Sequence, residues 1–63
     1  MNLRIHTVRK NDDKVKSEAL HILSVNKMTK EFTQLKVKFQ SCKNRSEILQ
    51  AIEAAGIFIY DKV

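Results

Sequence analysis

The sequence predicts a small α+β fold, β-α-β-α-β in order, with a three-stranded sheet covered on one face by two helices. Three observations predict it. Segments at the start and in the middle alternate apolar and polar residues with the period of a strand, and the tail is apolar, β-branched and aromatic. Two intervening segments repeat their apolar residues every three to four positions, the period of a helix. With no proline and one glycine, Gly56, the chain also has no linker, repeat or low-complexity stretch at which to divide, so residues 1–63 read as one small domain.

The first strand is expected in NLRIHTVR, with Leu3, Ile5 and Thr7 on one side and Arg4, His6 and Val8 on the other. KNDDK, residues 10–14, has the composition of a short loop. In DDKVKSEALHILSVNK, Val15, Ala19, Ile22 and Leu23 share a helical face, with Leu20 at its margin. Asp12 or Asp13 is placed to cap its first turn, and Asn26 suits the left-handed residue at its end.

The middle segment, EFTQLKVKFQ, satisfies two periods. As a strand it sets Thr33, Leu35, Val37 and Phe39 against Phe32, Gln34, Lys36, Lys38 and Gln40. As a helix it belongs to an unbroken heptad seam, Val25, Met28, Phe32, Leu35, Phe39 and Cys42, with Glu31 and Lys36 placed to pair across a parallel dimer. The β-formers Thr33 and Val37 favour the strand, while the scarcity of Gly and Pro favours the helix. The alternative fold is therefore a mostly α homodimer built on Val25–Cys42. After the CKNRS loop, NRSEILQAIEAAG gives a second helix: Asn44 or Ser46 caps it, Ile48, Leu49, Ile52 and Ala55 form its buried stripe, and Gly56 stops it. The tail IFIYDKV is β-branched and aromatic, which suits a closing strand.

If the helices cover Leu3, Ile5, Leu35, Val37, Phe39, Ile57 and Ile59, the open sheet face carries Arg4, His6, Phe32, Lys36, Lys38, Phe58 and Tyr60. A slip of one residue would exchange Phe58 and Tyr60 with their isoleucine neighbours. Cations among aromatics on an uncovered sheet hold phosphates and stack unpaired bases. Twelve Lys and Arg against seven Asp and Glu, a net charge of +5, add a general attraction to nucleic acid or to an acidic partner. The expected nucleic-acid-binding set is Arg4, Lys36, Lys38, Lys43, Arg45, Phe58 and Tyr60.

Other chemistry finds little footing. His6, His21 and Cys42 lack the close spacing of a zinc site, so no metal or cofactor is expected. Cys42 lies beside Lys43 and Arg45 but has no nucleophile signature around it, and a single cysteine excludes an intrachain disulfide. The carboxylates are scattered, one glycine makes no phosphate loop, and a chain this short encloses little water-excluding space, so an enzyme is not expected. The outward residues of the second helix, Glu47, Gln50, Glu53 and Ala54, are wrong for a DNA-reading helix.

No apolar run approaches a signal peptide or a membrane span, which reads as a soluble, reduced, cytoplasmic protein. Domains near this length are marginal alone, so self-association as a homodimer is expected. Two functions follow. One is a small basic regulatory protein that binds nucleic acid. The other is a homodimeric module that binds and modulates a larger protein, of the kind encoded by a phage or mobile element.

Overall fold

A computed structural model of the chain describes residues 3–60. The elements in order are β1 (Arg4–Ile5), α1 (Asp12–Val25), α2 (Thr29–Ser41), α3 (Arg45–Ala54) and β2 (Phe58–Ile59). Three helices closed by a minimal parallel strand pair thus replace the expected β-α-β-α-β layer, and no three-stranded sheet forms among the described residues.

The middle segment accounts for the difference. A helix sets Leu35 and Phe39 on one face, with Met28 and Phe32 on the turns before them. Leu35 and Phe39 are buried, and Met28, Phe32 and Cys42 pack against the same core. The expected strand face, Thr33, Leu35, Val37 and Phe39, would have buried fewer large side chains. Val37 is what the helix gives up, at 61% exposure. The three-four spacing of the heptad seam is satisfied within the chain, because α2 packs on α1 and α3. Val25, where that seam was expected to begin, ends α1 exposed. Leu35 and Phe39 are taken up by the chain's own core, and Met28, Phe32 and Cys42 are half-buried against it.

Helix ends follow local chemistry, with two shifts from expectation. Asn11 caps α1, its Oδ1 accepting the Lys14 N–H at 2.8 Å. Asp12 and Asp13 instead sit in the first turn, where the helix dipole favours negative charge. At the other end Lys27, not Asn26, takes the left-handed conformation (φ 58). Its N–H reaches the Ser24 carbonyl at 3.1 Å and the Met28 N–H reaches Leu23 at 2.9 Å, a Schellman stop. Asn44 caps α3 through the Glu47 N–H at 3.0 Å, and the Glu47 carboxylate accepts the Lys43 N–H at 2.9 Å. Gly56 (φ 91) ends α3 in the same way, its N–H on Glu53 at 2.9 Å and that of Ile57 on Ile52 at 3.3 Å. By contrast α2 starts at Met28 with no side-chain cap, so its helicity rests on packing.

β1 and β2 pair in register Arg4 to Phe58 and Ile5 to Ile59. The Phe58 N–H donates to Leu3 at 2.8 Å and the Tyr60 N–H to Ile5 at 3.1 Å. Leu3, Ile5, Ile57 and Ile59 face inward and join Val15, Ala19, Leu23, Leu35, Phe39, Ile48 and Ile52 in one core. The expected sides of both end segments therefore hold, without the one-residue slip. The expected strand residues Asn2 and Asp61–Val63 lie outside the described residues.

Candidate nucleic-acid interface

The parity that buries Leu3, Ile5, Ile57 and Ile59 turns Arg4, His6, Phe58 and Tyr60 outward. Parallel register brings the four together. The His6 and Tyr60 rings stack with centroids 4.3 Å apart and planes 14° apart. Phe58 meets Tyr60 edge to face at 5.6 Å and 87°. The Arg4 guanidinium lies 5.5 Å from the Tyr60 ring centroid and donates to the Tyr60 hydroxyl. Such ring and cation contacts are worth about 0.5 to 1 kcal/mol each at a surface, enough to order the side chains without burying them. Phe58 stays 62% exposed and Tyr60 44%.

The remaining expected residues lie elsewhere. Lys36 and Lys38 share a face only in a strand; on α2 they are two residues apart, about 200° around the axis. Lys38 borders a shallow groove against Ala51 and Ala54 of α3, beside Glu31 and Glu47. Lys36 projects from the other flank, and Phe32, expected on the open sheet face, is half-buried on α2. Lys43 lies exposed in the link between α2 and α3.

Arg45 is occupied. Its guanidinium donates to the Lys10 carbonyl and the Asp12 carboxylate, each at 2.9 Å, and to the Thr7 carbonyl. One planar fork therefore ties the start of α3 to the loop between β1 and α1, a use to which arginine geometry is suited. Cys42 also has a local partner, its thiol donating to the Lys38 carbonyl at 3.2 Å where α2 ends. Among the described residues, no three His, Cys, Asp or Glu side chains come together as a metal would require. None of the described helices is long and apolar enough to cross a membrane.

Among the described residues, ion pairs engage Lys10 with Glu18, Lys16 with Asp13 and Arg45 with Asp12. The outward residues of the strand pair include no carboxylate among those described. His6 was absent from the expected binding set although it shares parity with Arg4. That shared parity was the signal that places it in the cluster.

Comparison of the chain with models of protein families, with curated proteins and with solved structures finds no match.

Proposed function

We propose that the chain is a small, non-enzymatic, cytoplasmic regulatory protein that associates with nucleic acid through the outer face of its strand pair. One observation carries the reading: an exposed Phe58 set edge to face with an exposed Tyr60 that Arg4 and His6 hold, on a chain of net charge +5. Exposed rings offer stacking surface, and arginine offers a phosphate contact. Lys36, Lys38 and Lys43 then act through the long-range positive field that concentrates a polyanion, not as members of the face.

Salt dependence tests this. Affinity for generic nucleic acid falls as salt rises, because each neutralised phosphate releases counterions. Arg4→Gln flattens the log–log slope by about 0.7 to 0.9, one phosphate's share. Lys36→Gln with Lys38→Gln changes it by less. Absence of any retention near about 50 mM salt ends the reading.

A homodimeric protein-binding module is the second reading, favoured by exposed Val8 and Phe58 beside a sheet of only two strands among the described residues. It predicts a dimer in sedimentation equilibrium at micromolar protein that Phe58→Ala dissociates.

A further inference from the structure

Building on the nucleic-acid reading, we infer that the strand-pair face takes single-stranded nucleic acid, and that Phe58, not Tyr60, is the ring that stacks on an unpaired base. Tyr60 is already engaged. His6 covers one face of its ring at 4.3 Å, and its hydroxyl is held by Arg4. A base stacking on that face must first displace His6. Phe58 meets Tyr60 at 87°, so the contact is either the edge of Phe58 on Tyr60 or the edge of Tyr60 on Phe58. In both cases at least one face of Phe58 is left uncovered by Tyr60, in keeping with its 62% exposure.

A base held against that ring finds a cation beside it, since Arg4 is the register partner of Phe58 across the strands. Arg4 is thereby placed for a phosphate flanking the stacked base. Duplex fits the molecule poorly. Its base faces are hidden in the stack, and its major groove is read by a helix or a long two-stranded ribbon. The strands here are two residues each, and α3 presents Glu47, Gln50, Glu53 and Ala54 outward.

The test compares labelled oligothymidylate, oligouridylate and a duplex of equal length at matched salt, by fluorescence anisotropy. Single strands are expected to bind about tenfold or more tightly than duplex. Phe58→Ala is expected to lose about 5- to 100-fold on single strands and little on duplex, whereas Tyr60→Leu, which removes the other ring, stays within about threefold of wild type. Phe58→Leu keeps an apolar strand residue without a ring, so it should lose affinity as the alanine does. Phe58→Trp should retain it. Helical circular dichroism checks that each variant is folded. Tyr60 is the only tyrosine and there is no tryptophan, so intrinsic fluorescence reports this face directly and should change on single-strand binding. Oligothymidylate and oligouridylate differ in both the sugar and the 5-methyl group of the base, and tighter binding of either over duplex supports the inference. Equal binding of duplex and single strand, with Phe58→Ala indifferent, overturns single-strand stacking while leaving the electrostatic reading in place. Retention of neither probe overturns both.

Discussion

Residues 3–7, LRIHT, and residues 35–39, LKVKF, alternate apolar and polar side chains in the same way, yet the first runs extended through β1 and the second lies inside α2. Their surroundings explain the difference. Around Leu35 the apolar residues continue at three and four, back to Phe32 and Met28 and on to Phe39 and Cys42, so a helix buries or half-buries all five. Around Ile5 the spacing stops at once: Val8, three residues on, is exposed in a turn, and Arg9, four residues on, stands at φ 65. A two-residue period over five or six positions is thus ambiguous whenever a helical stripe passes through it. The longer stripe wins because it removes more apolar surface from water.

Substitutions can break or sharpen that comparison. The largest effect is expected at Leu35, which both patterns bury and which is 1% exposed. Leu35→Ala should cost about 2 to 5 kcal/mol, most of the stability of a domain this short, and urea denaturation should show the chain largely unfolded or nearly so.

A smaller effect separates the two Schellman stops, one leading from helix to helix and the other from helix to strand. Nothing lies within 4 Å of a Cβ built on Gly56, so Gly56→Ala is penalised only through its backbone at φ 91. It should lose about 1 to 2 kcal/mol and loosen the pairing of β2 with β1. Lys27 already bears such strain at φ 58, and Lys27→Gly should gain about 0.5 kcal/mol by thermal denaturation. A loss there would mean that the lysine side chain contributes more than the strain removes.

The smallest effect is the most discriminating. Val37 would be core in a strand but is exposed on α2, so Val37→Lys should shift stability by no more than about 0.5 kcal/mol. A shift of several kcal/mol would restore the strand.

Much of the outward aromatic face was legible from parity alone. Arg4, His6, Phe58 and Tyr60 alternate with Leu3, Ile5, Ile57 and Ile59, and the larger apolar content of the second set decides which side faces in. Lys36 and Lys38 were misplaced for the reason that their segment was: their common face existed only in the strand. Arg45 could not be separated from a phosphate-binding arginine by sequence, because its partners Thr7, Lys10 and Asp12 lie more than thirty residues away along the chain.

By itself the sequence determined what is local. Both flanking helices, the cap at Asn44, the stop at Gly56 and the inward parity of the two ends depend on neighbours within a few residues, where spacing and side-chain hydrogen bonding act directly, while the cap of α1 falls at Asn11, one residue before the expected Asp12. Only the tertiary structure decided the state of α2, which has no side-chain cap and two competing periods. It also decided the pairing of the first strand with the last and the clamp made by Arg45. Each of these depends on which distant surface a segment is buried against, and the free energy of that burial outweighs the small difference between local preferences.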